Sequence, residues 1–275
     1  MANKPVEIVQ LAGDAGKYKG NLTPGNYLVR SFMAGLLIAV GGSLATICQT
    51  GLETTMGLGF KSLITGAVFP VGLIAIVLTG MSLFTGDTML IPMAVFQKKS
   101  TWAKVLNAWF WVYIGNFVGS VFWAYLMDVG PFIKGGNAAE ITAFGKSAIA
   151  IAEAKTLPYM AAGGAGIWSA FMKGIACNLL VNLAILLALS SKNMIGKFFG
   201  IWFPIMAFVA SGFEHSVANM YFIPAGIMLG ANVTWGQFIQ WNLIPVTIGN
   251  IVGGFLFIGA VYYYSFKQEL TTSPT

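Results

Sequence analysis

The sequence is poor in charged residues, which make up 9% of its 275 residues, whereas 57% are hydrophobic. Soluble domains carry about 25% charged residues, so this composition excludes an ordinary water-soluble surface. The apolar runs are long and continuous and lack the ten-residue alternation that is typical of barrel strands. The sequence therefore predicts an all-α membrane protein. Its polar start, residues 1–7, does not resemble a cleavable signal peptide.

Histidine and cysteine are scarce: the chain has one histidine, His215, and two cysteines, Cys48 and Cys177. Both cysteines lie in apolar segments, which favours packing residues over a disulfide. A haem-bearing membrane anchor needs axial ligands, commonly histidines, and one histidine makes that alternative weak. An intramembrane hydrolase could pair Ser211 or Ser216 with His215, but no Gly-x-Ser-x-Gly surrounds either serine. We expect no enzyme activity, metal, cofactor or nucleic-acid partner.

Long apolar segments account for most of the chain, and a helix needs about 20 residues to cross a bilayer. The second and fifth segments are too long for one uninterrupted crossing, and each contains a polar break, at 80–88 and 212–219. The pattern predicts six crossings, two of them discontinuous, in one transmembrane channel domain, 1–275. The apolar segments span about 28–50, 60–97, 105–128, 164–190, 198–229 and 237–264.

The two ends of the chain are more polar. Residues 5–19 predict a short amphipathic helix at the membrane surface, with Lys19 on its polar side. This helix belongs to an N-terminal surface segment, 1–25, and residues 265–275 form a C-terminal tail. Lysines and arginines favour one side by ten to five when the N-terminus is inside, which predicts both termini in the cytoplasm of a multi-pass protein.

Short motifs recur in the same order in the two halves of the chain. With three crossings in each half, the second half must enter the membrane from the opposite side. This is the plan of an inverted 3+3 repeat, in which the site lies where two broken helices meet. Chance recurrence of small-residue packing motifs is the alternative. The matched segments are 32–35 with 171–174, 79–80 with 211–212, and 114–119 with 248–253.

Polar residues within the apolar segments are candidates for function. An ionisable side chain at membrane depth costs a few kcal/mol or more, so Glu214 and His215 together indicate a site. Histidine titrates near pH 6.5 and switches its charge readily, although a neutral core histidine is the alternative. Glu214 is expected to brace the backbone or a neighbouring helix. Thr85, Asn178 and Asn250 are further polar candidates, or structural hydrogen-bond linkers.

Bulky apolar residues near these polar positions suggest constrictions. Phe69 and Leu73 are four residues apart, on one helical face. Phe208 comes two turns before His215. Each of these residues alone is more often lipid or core packing than a gate.

Four stretches carry a resemblance to the formate/nitrite transporter family, closest to its formate-channel branch. The resemblance covers about residues 5–266. It implies an aquaporin-like fold of six spans, a homopentamer with a pore in each protomer, and passage of formate and related small monovalent anions or their acids. The stretches are Phe-Val-Ala-Ser-Gly-Phe-Glu-His-Ser-Val-Ala-Asn-Met at 208–220, Leu-Phe-Thr-Gly at 83–86, Gly-Ile-Ala-Cys-Asn-Leu-Leu-Val at 174–181, and Asn-Leu-Ile-Pro-Val-Thr-Ile-Gly-Asn at 242–250.

The resemblance also implies roles for individual residues. His215 resembles the central pore histidine, with Thr85 and Asn178 as its polar partners and Asn250 as a further candidate. Four apolar residues resemble the hydrophobic slits on either side, and Lys155 resembles the vestibule lysine that attracts anions. The four slit residues are Phe69, Leu73, Val181 and Phe208.

Two departures from the family pattern bear on these roles. An insertion of about seven residues within 159–167 leaves open whether Lys155 faces the vestibule. Asp87 stands where asparagine is common, and a carboxylate there would repel anions unless it is protonated, paired or turned away.

Together these features suggest a proton-linked passage of formate. A bare anion crosses an apolar slit only at high cost, whereas protonation through His215 yields a neutral acid that can cross. This hypothesis predicts transport that rises as the pH falls. Nitrite, hydrosulfide and lactate remain competitors for formate, and an ammonium channel is disfavoured because its known plan uses paired histidines.

Overall fold

The computed structural model describes residues 2–272, which are mostly helical. The helices are α1 Pro5–Lys19, α2 Pro24–Gln49, α3 Leu52–Met56, α4 Leu58–Val68, α5 Val71–Thr79, α6 Phe84–Phe96, α7 Trp102–Val129, α8 Ala143–Ala154, α9 Leu157–Ala161, α10 Gly164–Ser190, α11 Met194–Ala210, α12 Ser216–Met228, α13 Trp235–Phe238, α14 Ile244–Val252 and α15 Val261–Thr272. Two π-helical stretches, Ile239–Leu243 and Gly253–Ala260, join α13 to α14 and α14 to α15.

The all-α prediction omits one short antiparallel hairpin between α7 and α8. Its strands are β1, Ile133–Lys134, and β2, Asn137–Ile141. The two glycines between them, Gly135 and Gly136, have φ values of 59° and 79°, which side chains disfavour and a tight turn requires. Strands this short carry too little alternation to be recognised in a sequence.

Five helical stretches in the described part of the chain are long and apolar enough to cross a membrane. The fifth predicted crossing, 198–229, is divided between two shorter apolar helices, α11 and α12, so length and composition alone indicate five of the six. The five stretches are α2, Leu58–Phe96, α7, α10 and Trp235–Thr271.

Two interruptions divide the apolar helices where the sequence predicts polar breaks. α5 ends at Thr79, Gly80 turns the chain with φ 76°, and α6 begins at Phe84. α11 ends at Ala210, Gly212 has φ 70°, and α12 begins at Ser216. Both glycines take the left-handed conformation that closes a helix without the cost of a Cβ.

An asparagine satisfies backbone groups at the start of the half-helix that follows each interruption. Asn116 Oδ1 accepts from the Phe84 amide at 2.8 Å, and Asn116 Nδ2 donates to the Ser82 carbonyl at 3.1 Å. Asn250 Oδ1 accepts from the Ser216 amide at 2.8 Å, and its Nδ2 donates to the Glu214 carbonyl at 3.0 Å. The two asparagines of the matched segments 114–119 and 248–253 thus make corresponding contacts.

Helix α1 has the predicted bounds, but the predicted outward placement of Lys19 is wrong. The helix packs its buried residues Val9 and Ala12 against α6. Lys19 Nζ lies 2.8 Å from Asp87 Oδ1 in the first turn of α6. The amphipathic pattern could not reveal this contact, because it depends on how α1 docks. Of the predicted C-terminal tail, residues 265–272 are helical and 273–275 lie outside the described residues.

Glycines hold the long helices at close approach. A Cβ at Gly119 would overlap the carbonyl oxygen of Phe32, and one at Gly249 would overlap that of Phe171. Small residues of this kind let helix backbones come together in a membrane.

We expect Gly249→Ala to lower the free energy of unfolding by about 1–3 kcal/mol, because the added methyl group meets backbone that cannot rotate away. Thermal unfolding in detergent measures the loss. Gly59→Ala is the matched control, since a Cβ there has no neighbour within 4 Å. Equal midpoints for the two variants would contradict tight packing at Gly249.

Candidate functional site: a histidine between two broken helices

The imidazole of His215 connects the two interrupted helices. His215 is the N-cap of α12, where Nδ1 accepts from the Ala218 amide at 2.9 Å. Its Nε2 lies 2.9 Å from Oγ1 of Thr85, in the first turn of α6. Only 2% of the residue is exposed. One ring therefore bonds both half-helices, and both of its nitrogens are occupied.

These two bonds specify the tautomer. Nδ1 accepts an N–H bond, so it carries no proton, and the neutral ring bears its hydrogen on Nε2. That N–H donates to Thr85 Oγ1, which leaves the threonine hydroxyl hydrogen for another acceptor. A second proton on the ring would have to displace the Ala218 amide.

The predicted asparagines support the backbone around this ring and do not touch it. Asn178 Nδ2 lies within hydrogen-bonding distance of the Thr85 carbonyl at 3.1 Å and of Thr88 Oγ1 at 2.9 Å. Asn182 donates to the same Thr85 carbonyl at 3.1 Å. Asn250 holds the amide of Ser216 and the carbonyl of Glu214, one residue on each side of His215.

A cavity of about 240 Å³, here called the Lys155 cavity, lies on one side of His215. Lys155, Phe69, Phe208, Phe222 and His215 are among its lining residues. The Phe208 ring stacks on the imidazole with centroids 5.8 Å apart, and Phe69 meets Phe208 edge-on at the same separation. Lys155 borders this space, whether or not 159–167 contains the predicted insertion.

A second cavity of about 190 Å³, here called the Asp87 cavity, is lined by Leu73, Leu83, Asp87, Lys19 and Lys197 among others. Leu73 is buried at its wall, with 2% of the residue exposed. Val181, the fourth predicted slit residue, is buried in the core and borders neither of these two cavities.

Each cavity contains a lysine paired with a buried carboxylate. Lys155 Nζ lies 2.9 Å from Glu214 Oε2, and Lys19 Nζ lies 2.8 Å from Asp87 Oδ1. Glu214 thus braces a neighbouring helix, as its position in the sequence suggests. Asp87 stands where the family pattern commonly has asparagine, and the ammonium of Lys19 neutralises its carboxylate. Among residues 2–272, no three histidine, cysteine, aspartate or glutamate side chains converge on a possible metal site.

A family model described as "Formate/nitrite transporter" matches residues 6–264, nearly the whole chain. The chain belongs to the formate/nitrite transporter family. This is a family of transporters and channels, so the prediction of a multi-pass membrane protein that is not an enzyme is confirmed.

Relatives in this family match nearly the whole chain. A "Probable formate transporter" of Methanothermobacter thermautotrophicus is 42% identical, over 96% of this chain and 97% of its own length. "Formate channel BtFdhC" of Bacillus thuringiensis is 38% identical over 97% of both chains. "Formate channel FocA" of Escherichia coli strain K12 is 32% identical, over 96% of this chain and 95% of its own length.

Solved structures show the same fold. A structure titled "FNT family ion channel" superposes with a TM-score of 0.81 at 29% identity, covering 94% of this chain and 98% of its own. A "Pentameric formate channel with formate bound" superposes with a TM-score of 0.73 at 31% identity, covering 89% of this chain and 98% of its own.

The sequence did not indicate three partners of the buried carboxylates. Lys19 is 68 positions before Asp87 in the chain, and no pattern connects the two. Asn219 Nδ2 donates to Glu214 Oε2 at 2.7 Å. Tyr159, whose hydroxyl donates to Glu214 Oε1 at 2.9 Å, lies within 159–167, where the sequence predicts an insertion. That predicted insertion was the available signal for Tyr159, because the burial of the side chain cannot be seen in the sequence.

We expect Lys155→Met to lower the free energy of unfolding by about 3–5 kcal/mol, because it leaves the Glu214 carboxylate buried without its cation. The double variant Lys155→Met/Glu214→Gln should recover most of that loss. Thermal unfolding in detergent measures both.

The matched control is Lys61→Met, which breaks an exposed pair with Glu53. Exposed pairs contribute little, so its unfolding midpoint should stay near that of the wild type. A Lys155→Met protein as stable as Lys61→Met would show that Glu214 does not depend on its cation.

Proposed function

We propose that this protein is a membrane channel for formate and related small monovalent anions, linked to protons through His215. The observation that carries the proposal is the buried His215–Thr85 bond, with the Lys155 cavity and the Asp87 cavity near its two half-helices. Relatives named as formate channels or formate transporters support the same substrate.

The proposed architecture has six crossings in an inverted 3+3 repeat of the aquaporin type. The first half comprises α2, the broken helix α4–α6, and α7. The second comprises α10, the broken helix α11–α12, and the helical stretch from α13 to α15. The corresponding contacts of Asn116 and Asn250 support this arrangement, because an inverted repeat places its two broken helices around one central site.

The proposed path runs between the two cavities and past the imidazole. Lys155 attracts the anion on one side. Phe69, Phe208 and Leu73 narrow the way, and the resemblance adds Val181 to this apolar boundary. A carboxylate loses its hydration there, and an apolar wall offers no hydrogen bonds that could compensate for the desolvation free energy. Formate crosses more easily as neutral formic acid, since the proton cancels the charge that water had stabilised.

His215 and Thr85 supply the one polar point between the apolar walls. In the neutral ring, Nε2–H donates to Thr85, so the threonine hydroxyl can donate to an entering carboxylate oxygen. A complete relay through the ring also needs a proton at Nδ1, which must first release the Ala218 amide. The transported unit in this proposal is one formate plus one proton, and both leave on the other side as the acid dissociates.

Assembly and orientation complete the proposal. A relative solved as a pentameric formate channel supports a homopentamer with one pore in each protomer. The lysines and arginines favour both termini in the cytoplasm of the cell membrane.

We expect formate uptake into proteoliposomes to rise as the external pH falls, because acid supplies the transported proton. His215→Ala should lower uptake and flatten this pH dependence. Thr85→Val keeps the shape of the side chain but loses the hydroxyl, and it should reduce uptake about tenfold, the size expected for one hydrogen bond to a charged group.

Thr79→Val is the control for a lost hydroxyl, since Thr79 is exposed and bonds only within its own helix, to the Ala75 carbonyl. A pH profile that His215→Ala leaves unchanged would remove His215 from the proton step.

Competition decides the substrate. We expect unlabelled formate to inhibit radiolabelled formate uptake more strongly than nitrite, hydrosulfide or lactate at equal concentrations, in agreement with the formate-named relatives. Stronger inhibition by nitrite or hydrosulfide would assign the channel to that anion instead.

A further inference from the structure

The Glu214 carboxylate receives donors from three side chains, and one of them, Tyr159, comes from the segment 159–167, where the sequence predicts an insertion. Lys155 Nζ and Asn219 Nδ2 both bond to Oε2, at 2.9 Å and 2.7 Å. Among the described residues, Tyr159 is the side chain that donates to Oε1, at 2.9 Å. The hydroxyl of Tyr159 therefore completes the shell of this buried acid.

The insertion is folded so that Tyr159 reaches the acid. Gly163, with φ 57°, turns the chain between α9 and α10. A Cβ at Gly166 would overlap the Tyr159 carbonyl, so the first turn of α10 lies in direct contact with α9. The Tyr159 side chain is buried with Ala170 and Val246. This packing directs the phenol towards Glu214 and away from solvent.

A second lysine lies behind the tyrosine. Lys173 Nζ on α10 donates to the Tyr159 hydroxyl at 3.2 Å and lies 5.2 Å from the centre of its ring. An ammonium group has no acceptor, so the hydroxyl accepts from Lys173 and must donate its one hydrogen to Glu214. The chain of bonds runs from Lys173 through Tyr159 to Glu214, and Lys155 reaches the same acid from the other side.

This arrangement changes the charge that the Lys155 cavity presents. Lys155 and Glu214 alone sum to zero, whereas Lys173 adds one positive charge to the group. The Glu214 carboxylate also accepts a hydrogen bond from the Tyr159 hydroxyl, which Lys173 polarises. This bond takes up part of the negative charge of the carboxylate and so weakens its attraction for Lys155. More of the Lys155 ammonium then remains available to an anion that enters the cavity.

We propose that Tyr159 and Lys173 are positioning residues that set the affinity of the Lys155 cavity for small anions by sharing Glu214 with Lys155. The proposal rests on the proposed function, because it assumes that formate enters through this cavity. It assigns to these two residues a role in anion capture and none in the proton step. Neither residue lines the cavity, so both act through Lys155.

The test is the concentration dependence of radiolabelled formate uptake into proteoliposomes, with KM and the maximal rate fitted separately. We expect Tyr159→Phe and Lys173→Met each to raise KM about threefold to tenfold, the size expected for one lost hydrogen bond to a charged group, with the maximal rate little changed. Lys173→Arg keeps the positive charge and the hydrogen-bond donor, so its KM should stay near the wild-type value. Because the two residues act in one chain of bonds, the KM of the double variant should not exceed the higher of the two single-variant KM values.

Lys146→Met is the matched control, since it removes an exposed lysine from α8, the helix that ends just before Lys155. Its KM should stay at the wild-type value. The salt dependence of KM should weaken in Lys173→Met, because one charge that attracts the anion is gone. If Tyr159→Phe fails to assemble by size exclusion, Lys173→Met decides the question alone.

Three results overturn the inference. They are an unchanged KM in Lys173→Met, a lowered maximal rate with KM unchanged, and an equal rise of KM in Lys146→Met. Each leaves the proposed function intact as long as wild-type protein transports formate. Wild-type protein that carries no formate overturns the proposed function itself, independently of these variants.

Discussion

The structure depends on how two helix interruptions are satisfied inside an apolar protein. A broken helix exposes amides and carbonyls that cannot be left without partners at membrane depth, where each unpaired group costs several kcal/mol. Asn116 and Asn250 satisfy the backbone beside each break, and the imidazole of His215 caps one half-helix while bonding a threonine of the other. The same side chain therefore maintains the fold and provides the polar point of the proposed path.

The capping role of His215 restricts the protonation of its ring. Capping needs an unprotonated Nδ1, whereas an imidazolium needs a proton on that same atom. Protonation of the ring is thus opposed by the fold as well as by its burial. In the proposed proton relay through His215, the first turn of α12 would have to open briefly, so that proton passage and local backbone motion would be parts of one event.

The same constraint applies to the buried carboxylates. Burying a carboxylate is costly unless it is paired and its remaining lone pairs are bonded. Glu214 meets both conditions through Lys155, Tyr159 and Asn219. Asp87 is paired with Lys19 of helix α1, but its oxygens accept no further hydrogen bond from the described residues. In both cases the cation comes from a segment outside the long apolar helices. Lys19 of helix α1 and Lys155, which directly follows α8, therefore balance the two buried carboxylates.

The composition and the apolar runs were enough to predict a helical membrane protein, the two interruptions, and His215 with Thr85 as candidate residues. Those features follow from local chemistry, because hydropathy, glycine turns and rare ionisable residues are properties of single segments. Tertiary structure decided which residues meet: Lys19 with Asp87, Tyr159 with Glu214, and Lys155 with the cavity beside His215. These contacts join segments distant in sequence, and only the docking of one helix on another brings their atoms within bonding distance.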